Sequence, residues 1–332
     1  MTDDPVRAIA DAVLYEGYIL WPYRRSALKN QRRFTFGGVY PPAHSREHPD
    51  DSATMHTEVL LTAAQAGRVE VKVRFLQIVR RAVARPGPEG LEEVDELVVG
   101  GERYTTWEEA VEREIELPPS ALKELARRPS RTSIAIEGGR TVQELADGGA
   151  ALVRTWHRLE GEIEVSAEPA DAAGMWRMSV HIENTTPCTS ASREEALPQT
   201  FCSTHTMLLA HEAEFVSLTD PPEPLKNAAA ACLNVGTWPV LVGDPGRRTV
   251  LSSPIILEDY PRVAPESPGD LFDGGEIDQL LVLNILALTD EEKAEMAASD
   301  PRAKEILDRT QALTADQLMA LHGTIREFGM AR

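Results

Sequence analysis

The sequence predicts an α+β fold: a mostly antiparallel β-sheet, sandwich-like or strongly curved, with helical inserts and a C-terminal region of short helices. Three observations carry this expectation. Residues 69–75 (VEVKVRF) and 176–182 (WRMSVHI) alternate apolar with polar side chains, the period of a strand with one buried face. Prolines at 221, 222, 224, 239, 245, 254, 261, 265 and 268 break the later chain into pieces suited to loops and edge strands, not long helices. Helix-start signatures then cluster in the last 44 residues, at Thr289–Glu292, Asp300–Pro301 and Thr314–Gln317.

The elements follow in order. Residues 5–14 read as a short amphipathic helix, followed by an aromatic stretch that runs into Pro41–Pro42 and a polar surface loop through about Thr54. The strand from Val69 comes next. Two helical inserts are expected after it, one opening on the capping box Thr106-Trp-Glu-Glu109 and one near Ser120–Arg128, entered through Pro118–Pro119. Val153–Val165 and Trp176–Ile182 form a long hairpin whose turn is the segment 168–174 (EPADAAG). Residues 186–204 are polar and turn-rich, the place for a boundary or a long loop. An apolar helix over 276–288 precedes the final short helices. The organisation predicted is a β-rich domain at 1–185, an irregular Pro-rich β/loop region at 186–288 packed on it, and C-terminal helices at 289–332.

Composition excludes several classes. With 42% hydrophobic and 26% charged residues in 332, the chain has the make-up of a folded globular protein with a sizeable core. Its net charge of −19, from 34 cations and 53 anions, opposes broad binding to nucleic acid or an anionic membrane. No stretch reaches the roughly 20 apolar residues of a membrane helix. The acidic start, MTDDP, stands where a secretory leader is basic, so a cytoplasmic protein is expected. Cys188, Cys202 and Cys232 are an odd number, widely spaced and without a CxxC pair, which fits a reducing compartment.

Against that acidic background, residues 14–38 carry five cations and six aromatics. Arg24, Arg25, Lys29, Arg32 and Arg33 lie beside Trp21 and Tyr23 with no acid among residues 24–33. Forked guanidinium donors match carboxylate or phosphate oxygens, so this island suits phosphate, the acidic tail of a partner or, against the net charge, a nucleic acid. The internal alternative is pairing with the chain's own acids, above all Asp270, Asp273, Glu276 and Asp278 in the turn 267–278 (SPGDLFDGGEID). Those four carboxylates offer hard oxygen ligands but do not match the spacing of an EF-hand loop, and a capping role at a helix start explains them equally well.

Cys202 and His205, at x2 spacing, with His211 beyond, are the best candidates for zinc, nickel or iron ligation, with Cys188 or Cys232 as further donors. Buried Cys and hydrogen-bonded His are the alternative, and in a regular strand Cys202 and His205 point to opposite faces. His44, His48 and His56 form a second, looser group in the polar loop, while His181 fits an exposed cross-strand pair. No nucleophile elbow, phosphate loop or dinucleotide fingerprint is present.

Residues 14–31 (LYEGYILWPYRRSALKNQ), 73–77 (VRFLQ), 267–278 and 288–293 (LTDEEK) together resemble a family of uncharacterised proteins encoded in bacterial, notably actinobacterial, nickel-iron hydrogenase gene clusters. The resemblance runs over most of the chain and brings no assigned chemistry. It implies a non-enzymatic accessory, assembly or maturation role, with hydrogenase structural or maturation subunits as partners. The alternative is a metal-binding protein built on Cys202, His205 and His211, extending to a metal-dependent hydrolase.

Overall fold

The computed structural model describes residues 5–15, 34, 36–145, 149–170, 174–189, 192–243, 246–261, 285–299 and 301–314. The architecture is the predicted one: a mostly antiparallel, strongly curled sheet with short helices on it. Its spine is β1, Thr54–Gly87, a single strand of 34 residues. At roughly 3.3 Å per residue such a strand would extend about 110 Å. A compact chain of this length has a radius of gyration of only about 20 Å. The strand must therefore coil, and it takes different neighbours along its length.

Thr54–Thr62 pair with β10 (Met175–Asn184), and Leu61–Leu76 pair with β11 (Cys202–Phe215). Arg68–Arg81 pair with β5 (Trp107–Ala121), Arg80–Ala84 with β8 (Ala150–Trp156), and Val83–Gly87 with β2 (Gly90–Val94). A small hairpin of β3 (Glu96–Val99) and β4 (Glu102–Thr105) stands apart. Beyond β11 come β13 (Thr249–Ser253) and the edge strand β12 (Trp238–Val242). Pro239 sits in that edge strand, where a missing amide costs no ladder bond.

The hairpin expected before Ile182 is present as β9 (Leu159–Pro169) against β10, with Ile163 opposite Ile182. Val153, however, belongs to β8, because the chain breaks at His157 and Arg158. β6 (Ser130–Ile136) and β7 (Gly139–Leu145) pair with β9 and β8 in one continuous register. The break is built in at Gly139, where a Cβ would lie 2.5 Å from the Trp156 ring. Trp156 Nε1 donates to Glu137 O at 3.0 Å and closes the kink.

One expected helix is absent. Thr106-Trp-Glu-Glu109 opens strand β5, and Thr106 Oγ1 accepts from Val83 N and donates to Val94 O. The local capping signal loses to the period-2 run ERE-IEL, which sets Glu112, Glu114 and Glu116 opposite Leu76, Arg74 and Lys72. The second insert is present as α3, Leu122–Arg127, and the first helix as α1, Pro5–Leu14. The polar loop contains α2, Pro42–Glu47, and His44 is buried in it. Residues 193–196 form α4 (Arg193–Ala196), capped by Ser192, and Lys226–Ala230 form α5.

Val69, Val71, Val73 and Phe75 of β1 meet Ile163, Met178, Val180 and Leu208 in the main core. Phe75 stacks on Phe201 at 4.7 Å, and Gly161 admits that ring, since a Cβ there would come within 2.9 Å of it. The opposite face of β1 carries Leu76 and Ile78, which pack with Leu14, Tyr15, Phe34 and Cys202. Ile285, Met296, Ile306 and Leu307 of the C-terminal region close over that face. The tail helices are α6, Asp290–Ser299, and α7, Pro301–Gln311. The predicted capping box at the start of α6 forms in full: Glu292 N donates to Thr289 Oγ1 and Thr289 N donates to Glu292 Oε2. Among the described residues no helix is long and apolar enough to cross a membrane.

Candidate functional site

Helix α1 brings the richest charged cluster together. Its apolar side, Ile9, Ala10 and Val13, packs on Val240 and Val242 of β12 and Leu251 of β13. Its polar side meets the cation row of β1. Arg74 is 1% exposed; its Nη2 donates to Asp11 Oδ1 at 2.5 Å and to Glu112 Oε2 at 3.3 Å, and its Nε lies 3.3 Å from Glu114 Oε2. Tyr15 OH donates to Glu112 Oε1 at 2.6 Å, and Arg7 Nη1 donates to Glu114 Oε2 at 3.4 Å. Lys72 completes the row at 2.5 Å from Glu116. That hydrogen bond raises the Lys72 pKa and lowers that of Glu116. A guanidinium this deep is tolerated because carboxylates accept from it on several sides.

The same strand face receives His205 and Cys202. Regular alternation would send them to opposite faces, but β11 carries a bulge. Arg74 pairs with His205 and Leu76 with Cys202, so one residue of β1 faces two of β11, with Ser203 at φ 51°. Both side chains therefore lie on the Arg74 side of the sheet, fully buried. Burial pushes the Cys202 thiol up to about 12, and burial together with the Arg74 charge takes His205 down to about 3. The thiol is held protonated and the imidazole neutral.

His211 does not join them. Six residues further along β11 and about half exposed, its Nε2 lies 2.8 Å from Glu70 Oε1. Cys188 accepts from Gln199 Nε2, and Cys232 donates to Ala228 O. Among the described residues no group of three or more His, Cys, Asp or Glu side chains is arranged to hold a metal ion. The looser histidine group is also divided. His44 and His48 stack at 4.4 Å, with His44 bound to Asp51, whereas His56 stands opposite His181 across β1 and β10, their rings 5.7 Å apart.

Trp21, Tyr23, Arg24, Arg25, Lys29, Arg32 and Arg33 lie outside the described residues, as do Asp270, Asp273, Glu276 and Asp278. What is described is where these segments are rooted. Tyr15 and Phe34, on either side of the basic island, are buried in the same cluster as Ile285, the first described residue after the acidic turn. Arg193 Nη2 also donates to Phe34 O at 3.2 Å.

A second ionic group escaped the sequence reading. Glu109 is held by Arg81 at 2.9 Å and Arg154 at 2.7 Å, and Arg81 Nη2 also donates to Thr105 O and Ala298 O, tying α6 to the sheet. The Arg74 group left one signal in the sequence, alternating charge of opposite sign in residues 72–74 and 112–116, whereas the Glu109 group left none. No protein-family model matches the chain, and no curated protein matches it significantly.

Proposed function

We propose that this chain is a non-enzymatic accessory protein for the assembly or maturation of a nickel-iron hydrogenase, and that it works through protein–protein contact. The client comes from the sequence resemblance. The mode of action is supported by one structural observation: both described ends of the aromatic-basic stretch, Tyr15 and Phe34, are fixed in a single buried cluster on the sheet. The residues flanking the five cations thus share one buried cluster, and fixing the ends of a binding segment lowers the ordering cost of binding. Nearby, Asp11 and Glu114 already hold Arg7 and Arg74. Arginine and aromatic residues together are the side chains that most often dominate protein interfaces.

Capture of hydrogenase structural and maturation subunits by the purified full-length chain tests this reading. The wild type is expected to retain at least one subunit, and the triple variant Arg24→Glu, Arg25→Glu, Arg32→Glu to lose it. Equal capture by the two proteins would remove the island from the interface, and no capture by either would remove the proposed client.

A further inference from the structure

We propose that one buried water molecule, bound between Arg74 and His205 beneath α1, is a fixed part of the folded protein. The two residues are directly opposed in the β1–β11 ladder, so their side chains leave the same face of the sheet. Directly opposed Cβ atoms lie roughly 5 Å apart. Arg74 is 1% and His205 0% exposed. Arg74 Nη1 and His205 Nε2 are both buried, and among the described residues neither has a hydrogen-bond partner.

The chemistry of the guest follows from these two atoms. His205 Nδ1 lies 3.1 Å from Ser203 O, a contact that only Nδ1–H can make, and the ring is neutral far below physiological pH. Its Nε2 therefore presents a bare lone pair, an acceptor. Arg74 Nη1 presents N–H groups and can only donate. An anion at this point meets Asp11, Glu112 and Glu114, which already crowd the guanidinium. A cation meets Arg74 itself. Apolar atoms satisfy neither partner, and each unsatisfied buried group carries a desolvation penalty. A neutral molecule that accepts from Arg74 and donates to His205 meets every condition, and water is the smallest. A cleft of about 300 Å³ beside α1, lined by Arg7, Lys72, Glu114 and Thr249, borders the same ionic group at Glu114.

The test is NMR on the full chain with labelled histidine and arginine. The expected result is the Nδ1–H tautomer of His205, an Nε2 resonance displaced in the sense of an accepted hydrogen bond, and a water cross-peak to the Arg74 guanidinium. The cross-peak should disappear in His205→Leu. If that variant does not fold, a high-resolution crystal structure of the wild type decides, with a water expected within hydrogen-bond distance of both atoms. A protonated Nε2, a direct Arg74–His205 hydrogen bond, or bromide replacing the peak in soaked crystals would each overturn the proposal.

Discussion

Arg74 is the residue on which the α1 face depends. Replacing it with alanine leaves Asp11, Glu112 and Glu114 close together without their shared cation, and a broken buried ion pair costs about 3–5 kcal/mol. Urea denaturation of Arg74→Ala should show that loss, and Arg74→Met together with Asp11→Asn should recover part of it. His205 gives a pH signature. Unfolded, an imidazole binds a proton near pH 6.5; folded, His205 stays neutral to about pH 3. Between those values the unfolded chain holds more protons, so stability falls as pH is lowered. From pH 7 to 5 the wild type should lose about 2 kcal/mol more than His205→Gln in parallel denaturation curves. At this scale the sequence was only half legible. Alternation marks Arg74 as a strand residue, but Glu112 falls in the run read as a helical insert, and which strand faces which depends on pairing that no local pattern encodes. Cys202 and His205 were singled out for their chemistry, yet their placement turned on a bulge at Ser203 that a serine does not announce.

Among the elements, those specified by contacts three or four residues apart were the readable ones. The helix α6 starts where its reciprocal Thr289–Glu292 bonds predict. Thr289→Ala should cost about 1 kcal/mol, and the loss should be seen first as faster amide exchange in α6. The β9–β10 hairpin was readable on a different ground, period-2 alternation in two runs on either side of one turn. β5 was misread because Thr106 and Glu109 imitate a helix start, whereas the strand is specified from outside by thirteen ladder pairs along β1. Helix α1 was visible from its amphipathic period. That its polar side would lie on a buried arginine was not.

At the scale of the molecule, the −19 charge is unevenly spent: cations in the described sheet are largely matched by cross-strand acids, as at Arg74, Arg80, Arg81 and Arg131. The predicted class holds, an antiparallel curled sheet with helices closing one face. If the basic island meets an acidic partner as proposed, the association should weaken as salt rises, since exposed charges are screened over about 10 Å at 0.1 M ionic strength. The capture experiment repeated across salt concentrations checks this, with wild-type retention falling as ionic strength increases.

The long β1 strand also sets the order of events during synthesis. Thr62 meets Glu214, 152 residues later, and Thr57 meets Ser252, 195 residues later. The chain must be made as far as Phe215, about two thirds of its 332 residues, before the first half of that strand has its ladder partners. Such distant closures make folding slow, and until they occur the nascent chain presents a bare strand edge with an apolar face. A protein whose proposed task is to attend the assembly of others is, by its own topology, one that needs protection while it is being made.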